Sequence, residues 1–114
     1  MPENFSMAMC EYAWASFNDN AKMFEFSAVG QPGRFHPTQK PIKLVEWFLS
    51  RYSDKNDLVV DLYGGSGSTL IACEEKELKS RIMELDPHYC DVIRKRYTKW
   101  CLANNKPLTS GCLQ

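Results

Sequence analysis

One stretch constrains this chain more than any other: Asp61-Leu62-Tyr63-Gly64-Gly65-Ser66-Gly67-Ser68-Thr69. Ahead of it, Leu58-Val59-Val60 is a short apolar run of the kind that forms a buried strand, and behind it Leu70-Ile71-Ala72-Cys73 opens a helix. Three glycines fall in four positions between them. Glycine reaches positive φ and lets a ligand approach bare backbone. A glycine cluster joining strand to helix therefore suits a small-molecule site at a helix N-terminus.

The flanking chain alternates helix and strand. After Pro41, Leu44, Val45, Phe48, Leu49 and Tyr52 recur at helical spacing, and Ser53-Asp54-Lys55-Asn56-Asp57 stops that helix before the strand. Beyond the glycine turn we expect a helix from about Ser68 to Glu77, then a second short strand over Arg81-Ile82-Met83-Glu84-Leu85. Asp86 offers an N-cap and Pro87 the first position of a last helix, whose stripe is Tyr89, Ile93, Tyr97, Trp100 and Cys101 and which ends near Asn104-Asn105. Strands alternating with helices imply a parallel α/β sheet, with both strands buried on both faces. Only two such strands are visible, so the sheet looks incomplete.

Upstream, the apolar runs over residues 10–17 and 21–26 flank Asn18-Asn20 by way of Asp19 and read as an antiparallel β-hairpin over 7–26. A hairpin is unstable alone and should lie against a larger sheet. Residues 27–35 form a Gly/Pro loop, followed by His36-Pro37-Thr38-Gln39-Lys40-Pro41, and residues 105–114 read as a flexible tail.

Several ligand classes drop out. A phosphate loop of the Walker type needs a lysine after its last glycine, where this chain has Ser68. A dinucleotide fingerprint needs a third glycine where Leu70 stands. What remains is an aspartate ending a strand, an aromatic, G-x-G, a helix, and an acid, Glu84, on the next strand. A carboxylate about twenty residues on suits hydrogen bonds from a ribose. Fourteen basic residues balance fourteen acidic ones, so no global field advertises nucleic acid. Five cysteines without a C-x-x-C pair read as reduced thiols, and no signal peptide or membrane-spanning run is present, so we expect a cytoplasmic protein without a membrane partner.

The glycine turn resembles the D-P-F-x-G-S-G-T-T motif of S-adenosylmethionine-dependent DNA amino-methyltransferases, which make N6-methyladenine or N4-methylcytosine. His36-Pro37-Thr38-Gln39-Lys40-Pro41 resembles the H-P-T-x-K-P segment of the permuted, beta-type group, in which the cofactor region follows the catalytic region. Glu84-Leu85-Asp86-Pro87-His88-Tyr89 resembles its E-L-D-P-x-Y segment. Leu62 stands in place of the usual proline and Ser68 in place of the usual threonine. The fold implied is a partial methyltransferase-type Rossmann sheet with helices and the N-terminal hairpin, with the cofactor-binding part over 36–104. The cofactor implied is S-adenosylmethionine. Its site comprises His36, Pro37, Thr38, Gln39, Lys40, Asp61, Tyr63, Gly65, Ser66, Gly67, Thr69, Glu84 and Asp86. In this assignment Asp61, Tyr63, Gly65 and Gly67 surround the methionine end, Glu84 holds the ribose, and residues 38–40 close over the methionine.

Transfer to a base also requires that the base leave the duplex and be gripped. The family does this with a [D/N/S]-P-P-[Y/F/W] loop, and the chain contains no Pro-Pro dipeptide. Asp86-Pro87-His88-Tyr89 mimics it but reads as a helix start, and Arg94-Lys95-Arg96 with Lys99 reads as a solvated helix face. We therefore expect the C-terminal part of a DNA amino-methyltransferase, adenine-specific by preference, with DNA as partner of the complete enzyme and the catalytic loop encoded upstream. Two other readings stay open: a self-associating remnant that forms homo-oligomers through open sheet edges, and methyl transfer to RNA or a small molecule.

Overall fold

The computed structural model describes residues 14–20, 22, 24 and 40–108. Within them the order is helix α1 (Ile42–Tyr52), strand β1 (Leu58–Asp61), helix α2 (Ser68–Glu75), strand β2 (Lys79–Ile82) and helix α3 (Pro87–Ala103). The two strands run parallel, with Leu58 opposite Lys79 and Asp61 opposite Ile82, and α2 makes the crossover that parallel pairing demands. The ladder continues past both strands: Met83 N–H donates to the Asp61 carbonyl at 2.8 Å, and Gly64 N–H to the Met83 carbonyl at 2.7 Å. The glycine turn is thus stitched to the end of β2.

The α/β expectation and the element order hold, and the helix boundaries follow the local chemistry. Pro41, at φ −61°, immediately precedes α1, and its carbonyl accepts the first helical amides. Asp86 caps α3, its side chain accepting from the His88 N–H at 2.9 Å, with Pro87 just inside the helix. Such a cap contributes about 1 kcal/mol. Helix α2 is two residues shorter than expected. Glu77 adopts φ +58°, its N–H donates to Glu74, and Leu78 N–H reaches back to Cys73 at 2.8 Å. Those two bonds make a Schellman ending with glutamate in the left-handed position that usually takes glycine. β2 consequently starts at Lys79, two residues before the apolar run that suggested it. Replacing Glu77 with glycine should relieve the left-handed strain and stabilise the fold by about 0.5–1 kcal/mol. A denaturant midpoint unchanged or lowered in Glu77→Gly would contradict that assignment.

Two expectations fail. The predicted hairpin is not formed over its described part: residues 14–20 contain no strand, only a bend at Ser16 and Phe17. The remaining hairpin residues lie outside the described residues, apart from Lys22 and Phe24. The aromatics that suggested a strand are used against α1 instead. Phe17 packs on Tyr52 with ring centroids 4.9 Å apart, Phe24 on Trp47 at 5.7 Å, and the Tyr52 hydroxyl donates to Asp19 at 2.6 Å. A two-stranded sheet offers no broad surface for a hairpin to join, whereas α1 offers an aromatic flank.

The strands, moreover, are not buried on both faces. Leu58 and Val60 are more than half exposed, as are Leu62 and Met83, and Leu85 is almost fully so. Helix α1 packs on α2, and α2 on β2, leaving the opposite sheet face uncovered among the described elements. The core gathers Ile71, Ala72 and Cys73 of α2 with Leu78 and Cys101.

Candidate small-molecule site at the strand ends

Parallel strands bring their carboxyl ends to one edge, where the following turns and helix N-termini converge. Here that edge carries Asp61 and the glycine turn after β1, and Glu84 and Asp86 after β2. Gly67 N–H donates to the Gly64 carbonyl at 2.9 Å, closing a four-residue turn with φ +58° at Gly65. Positive φ at its first central residue alone is the signature of a type II′ turn, which requires glycine there. Gly67, at φ +91°, then caps α2.

Glu84 joins the two turns. One carboxylate oxygen accepts from Gly65 N–H and the other from Asp86 N–H, both at 2.8 Å. The Glu84 carbonyl accepts from the Cys90 thiol at 3.3 Å. Asp61 curls onto its own loop, accepting from Tyr63 N–H at 2.9 Å, and Tyr63 is 87% exposed beside it. Beneath the turn, burial first and then the charges of Glu74 and Asp61 push the Cys73 thiol up to about 11, which keeps it protonated and inert at neutral pH.

The three glycines have different surroundings. A Cβ built on Gly64 would lie 2.5 Å from Ile82 Cγ2, and one on Gly67 would lie 3.2 Å from Ile93 Cγ1, so these two glycines face inward onto protein. A Cβ on Gly65 would meet nothing within 4 Å. The turn therefore has an inner side pressed on α3 and an outer side, at Gly65, open to a ligand.

Asp61, Tyr63, Gly65, Ser66, Gly67, Thr69, Glu84 and Asp86 all lie at this one edge, on the turns after β1 and β2 and the first turn of α2. Ser66 is only 2% exposed, so its side chain belongs to the inner side. Lys40 precedes α1 and lines a groove with Trp14, Phe17, Trp47 and Tyr52. His36, Pro37, Thr38 and Gln39 lie outside the described residues. Two residues that support the turn, Gly64 and Arg96, are not distinguished by the motifs. Arg94, Lys95 and Lys99 are exposed, but Arg96 is half-buried and donates through Nη1 to the Ser66 carbonyl at 3.2 Å and to the Ser66 and Ser68 hydroxyls at 3.4 Å. Its position one helical turn after Ile93, a stripe residue, was the available signal. Among the described residues no cluster of His, Cys, Asp and Glu could hold a metal ion, and no helix is long and apolar enough to cross a membrane.

The chain is similar to known proteins. The type II methyltransferase M.PvuII of Proteus hauseri is 39% identical over 54 residues, which are 47% of this chain and 16% of that protein. M.MjaII of Methanocaldococcus jannaschii is 30% identical over 76 residues, covering 67% of this chain and 13% of the relative. The chain thus spans a small fraction of these curated relatives. The crystal structure of the M1.HpyAVI–SAM complex superposes with a TM-score of 0.54 at 36% identity, over 56% of this chain and 32% of that one. A family described as DNA methylase matches residues 9–95, most of the sequence and all of the site edge up to the middle of α3, and the chain belongs to that family.

Proposed function

We propose that this chain is the cofactor-binding part of a permuted DNA amino-methyltransferase and that the edge around Gly65 and Glu84 binds S-adenosylmethionine. The observation that carries the reading is the pairing of Glu84 with the Gly65 amide across two parallel strand ends, with open space in front of Gly65. The residues present fit such a cofactor. Bare backbone at Gly65 admits close approach, and a carboxylate has acceptor capacity beyond two amides, which suits ribose hydroxyls at Glu84. Asp61 offers negative charge, and the exposed ring of Tyr63 a π face, toward a ligand carrying sulfonium and ammonium groups. Gly67 and Thr69 shape the helix start, the backbone at Ser66 completes the turn, and Asp86 holds the second turn in place. The resemblance of residues 36–40 to the family's H-P-T-x-K-P segment assigns them to the same cofactor.

When bound, this cofactor supplies an electrophilic methyl group. The methyl acceptor we assign is the exocyclic amino group of a DNA base, adenine N6 in preference to cytosine N4; membership of the DNA methylase family supports DNA as the substrate class. No Pro-Pro dipeptide occurs in this sequence to grip that base, so the isolated chain binds cofactor without transferring methyl. Calorimetric titration with S-adenosylhomocysteine should give saturable one-to-one binding, while labelled S-adenosylmethionine with unmethylated DNA should leave the DNA unlabelled. Absence of binding would remove the cofactor reading, and efficient labelling would remove the claim of inactivity.

A second reading is favoured by one observation, the exposure of Leu58, Val60, Leu62 and Met83 on the sheet face left uncovered among the described elements. Such a surface suits self-association in a module that has lost catalysis. Sedimentation of the titrated sample separates the two: a monomer that binds ligand supports the first, and an oligomer that binds none supports the second.

A further inference from the structure

We propose that Arg96 is a positioning residue of this site, holding the glycine turn in its ligand-ready shape from the side opposite the ligand. The inference rests on the cofactor reading of the turn and adds a residue that its motifs do not contain.

The Ser66–Gly67 peptide leads directly into the N-cap of α2, so its orientation sets both the outer rim of the turn and the direction of the helix. Its N–H is held by the Gly64 carbonyl at 2.9 Å, and its carbonyl is held by Arg96 Nη1 at 3.2 Å. The same guanidinium nitrogen lies 3.4 Å from the hydroxyls of Ser66 and Ser68, which are 2% and 7% exposed. A buried carbonyl and two buried hydroxyls thus find a charged donor on α3 where water has little access, the setting in which a hydrogen bond matters most. Ile93, one turn earlier on α3, fills the space under Gly64 and Gly67. α3 accordingly supports the turn twice, by apolar contact at Ile93 and by hydrogen bonding at Arg96.

Lysine would carry the charge but not the planar guanidinium, so it should replace only part of this support. Glutamine keeps a donor without charge and falls short of the same reach. Neither change touches Gly65, Glu84 or the open space before them.

The test compares the unchanged chain with Arg96→Gln and Arg96→Lys by S-adenosylhomocysteine titration and by residue-resolved amide exchange. In Arg96→Gln we expect affinity about tenfold weaker. Exchange at Gly67 should be about tenfold faster, while the amides inside α1 exchange as before, since local opening of the turn leaves that helix intact. Arg96→Lys should recover part of both losses. Unaltered Gly67 exchange together with affinity within twofold of the unchanged chain would overturn the proposal. Equal acceleration at Gly67 and throughout α1 would also overturn it, because a general loss of stability would then explain the weaker binding. If Arg96→Gln does not fold, Arg96→Lys decides by the same two readings. Failure of the unchanged chain to bind would refute the cofactor reading instead, and exchange at Gly67 would then determine whether Arg96 holds the turn.

Discussion

Gly64→Ala should be the most damaging alanine substitution among the described glycines, lowering stability by about 2–3 kcal/mol and the thermal midpoint by about 10 °C or more. The new Cβ would sit 2.5 Å from Ile82 Cγ2, 3.2 Å from Ile93 Cδ1 and 3.2 Å from the Met83 carbonyl oxygen. Ile82 is β-branched, with few χ1 alternatives, and the Met83 carbonyl is fixed by the bond it accepts from Gly64 itself at 2.7 Å. Neither neighbour yields without parting the turn from β2. The matching substitution one residue later behaves differently. Gly65→Ala meets nothing within 4 Å, so its stability cost is confined to the left-handed φ of +58°, about 1–2 kcal/mol. Its methyl enters the open side of the turn, however, and should impair ligand binding far more than folding. Urea denaturation paired with S-adenosylhomocysteine titration reads both variants. If Gly64→Ala were as stable as the unchanged chain, the stitching of turn to strand described above would be wrong.

These glycines also show which part of the site was legible from residue types. Asp86-Pro87 announced a helix start because a cap and a proline act within one turn of chain, and the structure places both where that chemistry requires. The strand, glycine turn and helix were legible for the same reason. What lay beyond local reading was the direction each residue faces. The glycine cluster suggests a ligand site from residue types alone, yet of its three glycines only Gly65 faces open space, because Ile82 and Ile93 claim the ground behind Gly64 and Gly67. Arg96 sits in a basic run that resembles a solvated helix face, and its partners are 28 and 30 residues away in sequence. The start of β2 was misjudged because glutamate, not glycine, occupies the left-handed end of α2. Alternation in residues 14–17 fits a strand and equally fits a segment laid along an aromatic helix flank, and packing on Tyr52 decided between them.

Replacing Glu84 by glutamine should give the largest loss of binding of any isosteric change in the site, about a hundredfold weaker affinity for S-adenosylhomocysteine. Glu84 already holds two backbone amides. Its two oxygens accept from Gly65 and Asp86, each at 2.8 Å, and both donors belong to the turns that frame the open space. A carboxylate offers acceptors on both oxygens, whereas an amide group turns one of them into a donor. In Glu84→Gln one of the two backbone N–H groups must therefore face an NH₂, and one turn loses its tie. That structural loss alone should lower stability by about 1–2 kcal/mol, since charge-assisted bonds to a partly buried carboxylate exceed neutral ones. Binding loses more, because the same change also removes the negative acceptor proposed for the ribose hydroxyls. The two contributions separate experimentally: titration well below the unfolding midpoint measures affinity of folded protein, and denaturation measures the tie between the turns. A variant that is destabilised but binds with unchanged affinity would confine Glu84 to a structural role and strip the proposed site of its ribose acceptor. Glu84→Asp, which keeps the charge but shortens its reach by one methylene, should lie between the two in affinity.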